Sequence, residues 1–387
     1  DIVFRGNRQG STFVSENRTL DTGNSYTFYK PVEGTGTPNA IYWETSNTLN
    51  LDGTQGNAIR FYDPLSLVAG GTLTLNQNGT GETAFYGDNG VSTDYDTDIN
   101  VNTTVNGGTF TVADGVKYGR TTFGTFDLNS GATLKGENSG TLKVATLNLN
   151  NGTSLDVEGG TLMLDSAAIA LGNAVNGTVN LTGYGTLDSS SALKANVAGT
   201  SVNATVGLDD SGNAEELRLE APISGTAKLV KNGAGTLLLP TVQGYTDGTV
   251  VNAGTLVLTE NGTLGSGSAT VNANGTLEID SPASGNVSFS NALLGTGLLK
   301  VGLASGTNTF DFASSAGTAF AGTVELNDGT FSLSGTNTAV LGNSTLRLNA
   351  GSTTNVGAGT QAVGNMELNG GLLRFPNLPN LRISRSK

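Results

Sequence analysis

Residues 225–279 set the pattern for the whole chain. Leu237, Leu239, Val251, Leu256, Leu258, Leu264, Val271, Leu277 and Ile279 alternate with polar residues in short runs. Asn232, Asn252, Asn261 and Asn274 mark the breaks, beside Gly or Ala-Gly. Period-two alternation rich in Thr and Val predicts strands rather than helices. Asn and Gly at the breaks accept the left-handed backbone that a sharp corner needs. No run this short encloses a core alone, so the strands must stack on copies of themselves.

The same beat runs through 72–80, 99–112, 126–136, 147–164, 324–333, 346–356 and 366–375. A Leu-Asn pair recurs at Leu128, Leu149, Leu326, Leu348 and Leu368, with adjacent intervals of 21 (128 to 149), 22 (326 to 348) and 20 (348 to 368). A coil of roughly 20–22 residues holds three short strands and three corners. The expected fold is all-β, a right-handed parallel β-helix of three-stranded coils. One such domain is expected over 1–375, with 376–387 a basic linker or tail. Residues 1–70 are the least regular and form an end cap or the first coils. Their rings, in FYKP, IYWE and FYDP, suit either covering a terminal core or stacking against sugars. Between 165 and 224 the beat loosens, and Asp209, Asp210, Glu215 and Glu216 point to a longer loop leaving a corner.

Composition narrows the chemistry. The chain has 387 residues, 57 of them Gly, with 36% hydrophobic residues, which fits folding with many tight turns. It has no Cys and no His, which removes disulfides, Cys- or His-based metal sites and His-dependent nucleophilic catalysis. A Cys-free chain suits export through an oxidising periplasm. A net charge of −13 disfavours nucleic acid and anionic membranes. No cofactor and no metal are expected.

The motif at the centre of the chain is specific. KLVKNGAGTLLL followed by GYTDGTVVNAGTLVL resembles the passenger-associated repeat of bacterial autotransporters. The resemblance rests on Lys231, Gly233, Gly235, Thr236, Leu237 and Leu239, then on Tyr245, Gly248, Thr249, Val251, Gly254, Thr255 and Leu256. It implies a passenger domain on the bacterial surface, exported through periplasm and outer membrane, whose partners include its own C-terminal outer-membrane barrel. Within that family the chain looks most like AIDA-type adhesins. Relatives of that type in uropathogenic bacteria bind glycosaminoglycans and fibronectin, and others self-associate. The serine-protease branch is excluded, because Gly87-Asp88-Asn89-Gly90 puts Asn where the nucleophile belongs and no His exists.

Two clusters stand out as ligand-binding candidates. Asp94, Asp96 and Asp98 would line one face of a strand about 6–7 Å apart, with Tyr86, Asp88 and Tyr95 close by. Such a row could hold Ca²⁺, or accept from the hydroxyls of a glycan whose C–H faces meet the rings, although exposed Asp is commonly just solvated surface. Lys117, Tyr118 and Arg120 join two cations and a ring, as a sulfated glycan requires, although such a mix is more commonly plain surface. The expected partners are host glycans or matrix protein, with self-association between cells as the alternative. A polysaccharide lyase or hydrolase would need a defined carboxylate pair, and no signature marks one.

Overall fold

The computed structural model describes residues 2–5, 12–13, 18–20, 26–29, 41–43, 47–51, 57–61, 65–67, 72–86, 96–97, 100–281, 286–303, 309–312, 319–333, 341–357 and 362–376. These residues form an all-β, parallel β-solenoid. The chain divides into two compact units, residues 1–205 with 216–227, and residues 206–215 with 228–387.

In the first unit each coil contributes strands to three parallel tracks. The first track runs through Ile2–Arg5, Tyr26–Tyr29, Ala58–Phe61, Glu82–Phe85, Gly108–Ala113 and Ala132–Glu137. The second runs through Arg18–Leu20, Asn47–Leu51, Leu73–Gln77, Val101–Val105 and Thr125–Leu128. The third includes Asp96–Thr97, Lys117–Gly119 and Gly140–Leu149. Strands therefore pair in register from residue 2 onward.

Alternation along each strand fixes what points inward. Ile59, Thr83, Phe110, Leu134, Leu155 and Leu181 fall on one register column, and all are buried. A ring cluster fills the early coils. Phe61 stacks on Phe85 with centroids 4.7 Å apart, Phe85 meets Phe110 at 5.4 Å, and Phe126 meets Phe110 edge-on at 5.1 Å. Fully burying a side chain of this kind contributes roughly 1.5–3 kcal/mol.

The second unit repeats the scheme. Leu237, Leu256, Leu277, Leu299, Val324 and Leu346 form a buried column, and the next residue in register, Met366, is exposed. The outward column beside it carries alternating charges: Glu278, Lys300, Glu325, Arg347 and Glu367. Lys300 pairs with Glu278 at 2.6 Å, and Arg347 bridges Glu325 at 3.0 Å and Glu367 at 2.7 Å. Exposed pairs of this kind each add little, about 0–1 kcal/mol. Their main effect is to neutralise the column. The acidic loop expected near 209–216 is there, closed by an antiparallel bridge between Leu208 and Ala214, with Asp209 accepting from the backbone N–H of Ser211 and Asn213.

Asparagines hold the corners in ladders. Asn106, Asn129, Asn150 and Asn173 each donate from Nδ2 to Oδ1 of the asparagine one coil earlier, beginning at Asn78. The rungs are 28, 23, 21 and 23 residues apart. In the second unit Asn232, Asn252 and Asn272 follow at intervals of 20, and Asn327, Asn349 and Asn369 at 22 and 20. Spacings of 20–22 recur among these later rungs, but Leu299 pairs with Val324 25 residues on, and the earlier rungs span 21–28, so coil length varies along the chain.

Two inward polar side chains tie corners together from inside. Gln77 is buried, and its Nε2 donates to the carbonyls of Gly81, Gly107 and Thr109. Lys231 is wholly buried, and its Nζ donates to the carbonyls of Asn232 at 2.7 Å, Gly233 at 2.8 Å and Ala253 at 3.2 Å. Each one joins two successive coils.

Candidate functional site

The third track of the first unit carries the cationic candidates. Asp96 lies in register with Lys117, Lys117 with Thr141, and Gly119 with Lys143, which in turn aligns with Asp165. Side chains alternate across a strand, so Lys117 faces outward and Tyr118 inward. Lys117, Arg120 and Lys143 are half-buried. Arg120 directly follows that strand, at a turn where the Phe123 N–H bonds to the Arg120 carbonyl at 3.0 Å. Thr121 Oγ1 donates to Asp165 at 2.8 Å. The result is three cations on two neighbouring coils, flanked by the carboxylate of Asp165.

Tyr118 requires a correction. Its side chain is fully buried, with the ring 4.8 Å from Phe85 and 5.0 Å from Phe110 and the hydroxyl 2.8 Å from Thr103 Oγ1. Burial pushes its phenol well above the ordinary tyrosine range. It is a core residue, because it shares strand parity with the buried Val116. Tyr118→Phe is expected to leave ligand binding unchanged and to cost about 1 kcal/mol from the lost hydrogen bond, read in a urea melt.

Tyr86 belongs elsewhere on the coil. It follows the first-track strand Glu82–Phe85 and is half-buried. Burial, then the carboxylates of Glu82 and Glu137, push its phenol up to about 12, against the charge and hydrogen bond of Arg60. It therefore stays protonated near neutral pH, able to donate and accept. Glu82 also accepts from Thr111 at 2.7 Å and lies 3.9 Å from Arg60. Farther along, Lys135 pairs with Glu137 at 3.3 Å and with Glu158, and their charges raise its pKa against burial. Asp88, Asp94, Tyr95 and Asp98 lie outside the described residues. Of Asp96 only the strand position is described.

The structure thus joins Asp96, Lys117 and Arg120 on one track and adds Lys143, which sequence proximity could not reveal. Lys143 lies one coil away, and only stacking makes it a neighbour. The second track offers a different surface. Asn76 donates to Asn50 at 3.0 Å, the Thr125 N–H to Asn102 at 3.0 Å, and Asn148 to Asp127 at 2.6 Å. Side chains that already bond to each other present their remaining donors and acceptors in fixed positions, about 4.8 Å apart from coil to coil.

Two curated proteins resemble this chain. Uncharacterized lipoprotein YdeK of Escherichia coli (strain K12) is 33% identical over 253 residues, covering 61% of this chain and 18% of that protein. Adhesin BmaC autotransporter of Brucella suis biovar 1 (strain 1330) is 29% identical over 265 residues, covering 63% of this chain and 8% of that protein. The chain therefore spans less than a fifth of the length of either relative. No family model matches it, and no solved structure matches it. Similarity to a stretch of an autotransporter adhesin, in a chain folded as a parallel β-solenoid, fits an autotransporter passenger domain.

Proposed function

We propose that this chain is the ligand-holding part of an AIDA-type surface adhesin, displayed from the bacterial outer membrane by a C-terminal barrel, and that it binds sulfated glycosaminoglycans without catalysing a reaction. The observation that carries this reading is the grouping of Lys117, Arg120 and Lys143 on adjacent coils. A linear polyanion has charges repeated along its length, and cations repeated by coil stacking meet them at several points together. With a net charge of −13, the rest of the chain repels such a polymer, which confines contact to this track. The adhesin name of one relative and the lipoprotein name of the other support a surface location. A matrix protein such as fibronectin is a secondary ligand on the same reading, held by the Asn, Thr and Asp columns.

The test is binding of the purified chain to immobilised heparan and chondroitin sulfates across a salt titration. Binding is expected to saturate and to weaken as salt rises. Surface charges contribute about 0.2–1 kcal/mol each, so replacing all three cations by Ala should weaken binding roughly 3- to 150-fold. Salt-insensitive binding, or an unaffected triple variant, would overturn the assignment.

A second reading, self-association between cells, is favoured by the ladder from Asn78 to Asn173. Asn106, Asn129 and Asn150 each spend one donor and one acceptor on their neighbours, which leaves a repeated polar edge for an identical chain. Concentration-dependent dimerisation in sedimentation experiments, lost when Asn106, Asn129 and Asn150 become Ala, would favour it over the glycan reading.

A further inference from the structure

The second unit contains a cleft of about 460 Å³ between a loop at residues 260–267 and the strand Asn286–Phe289. It interrupts the repeat. In the sheet of five strands that begins here, Asn286–Phe289 is the terminal strand and pairs on one side with Thr309–Phe312. The preceding coil offers a loop rather than a strand to its other side, and the gap between them is the cleft.

The loop wall is built rather than slack. Asn291 Nδ2 donates to the carbonyls of Gly265 at 2.7 Å and Gly267 at 2.9 Å. The N–H of Ser266 bonds to the Tyr245 carbonyl at 2.9 Å, and that of Gly262 to Thr259 at 2.8 Å. Glu260, at the head of the loop, has a φ of 55°, a left-handed conformation that is costly outside glycine. Such strain persists only where the surroundings hold it, and here it sets an exposed carboxylate on the rim.

The lining has a distinct chemistry. Leu258, Ile279 and Phe289 supply an apolar floor, and Ser288 and Ser290 supply hydroxyls. Glu260 is the sole charged residue among those lining the cleft. A volume in the range of small-ligand sites, with an apolar floor and a few convergent polar groups, is what a small molecule requires. A lining whose one charge, among the described residues, is a carboxylate disfavours sulfates and uronates. It accepts well from hydroxyl donors.

We infer that this cleft binds a single neutral hexopyranose unit, its C–H face on the floor of Leu258, Ile279 and Phe289 and its hydroxyls donating to Glu260. The site is separate from the glycosaminoglycan track, and its ligand is of the opposite electrostatic kind.

The experiment uses the full 387-residue chain with the methyl glycosides of glucose, galactose, mannose and N-acetylglucosamine. Methyl glucuronate serves as the anionic control. Saturation-transfer NMR and calorimetric titration read binding. At least one neutral glycoside is expected to bind, at least 10-fold more tightly than the glucuronate. Glu260→Gln should weaken it at least 10-fold, and Ser288→Trp should abolish it by filling the cleft, with melting curves unchanged in both. The Lys117, Arg120 and Lys143 triple variant should keep this binding while losing sulfated chains, so the two sites fail independently. No neutral glycoside bound, equal binding of the glucuronate, or wild-type affinity in both cleft variants would overturn the inference.

Discussion

Gly124→Ala is expected to be among the most damaging single substitutions in the chain, although it adds one methyl group. Gly124 has a φ of 85°, and a Cβ there would fall on the Val101 carbonyl oxygen of the preceding coil. On its other side the Gly124 carbonyl accepts from the Thr146 N–H of the following coil at 3.2 Å. The residue is thus clamped between two coils and cannot move away from the clash. The left-handed conformation costs about 1–2 kcal/mol for an L-residue, and forcing packed atoms apart adds about 1–3 kcal/mol. Gly115 provides the control. Its φ is 81°, yet a Cβ there meets nothing within 4 Å. Gly115→Ala should therefore cost only the conformational part. Urea melts followed by circular dichroism should show a loss for Gly124→Ala that exceeds that for Gly115→Ala by about 1–3 kcal/mol. Equal losses would mean that the coils separate easily.

Lys231→Met is the second large effect. Methionine fills most of the volume but removes the donor that Gly233 and Ala253 share, while the Asn232 carbonyl keeps only the Val206 N–H at 3.2 Å. A buried polar group left unpaired costs about 1–3 kcal/mol. Removing the desolvated charge returns part of that. A net loss of roughly 3 kcal/mol follows, and limited proteolysis should cut first near residues 232–254. The pH dependence has a definite sign. Burial pushes the Lys231 ammonium down to about 8 from its ordinary 10.5. Between those values the unfolded chain binds more protons than the folded one, so this residue adds stability as pH rises through that window. Below about pH 8 both states are protonated and the contribution is flat. The difference in melting temperature between the parent and the Met variant should widen from pH 8 to 10. A narrowing would show that the carbonyl cage favours the charged form more than burial opposes it.

The fold was legible because alternation and corner chemistry agree at each coil. Leu237, Leu256 and Leu277 read as inward-facing, and they fall on one buried column. The Leu-Asn pairs at Leu326, Leu348 and Leu368 read as successive coils, and they stack in register. The binding surface was less legible, for two physical reasons. Tyr118 was read by residue type, whereas its parity with Val116 already pointed it inward. Lys231 shares parity with the buried Leu229 in the same way, although a lysine is seldom read as interior. Lys143 could not be placed beside Lys117 without the register, because corner lengths vary from coil to coil. The cleft beside Phe289 was invisible for a related reason. It arises where a coil omits a strand, and the residues around that gap look like any other Gly- and Ser-rich turn.

The asparagine ladders carry an evolutionary consequence. A rung forms when the next corner asparagine arrives, after as few as 20 residues or as many as 28. An in-frame loss or gain of residues between rungs therefore leaves the neighbouring rungs intact, and duplication of a whole coil adds one more. A gene for such a chain can grow or shrink in single recombination steps, and its surface can diversify coil by coil without a new fold arising.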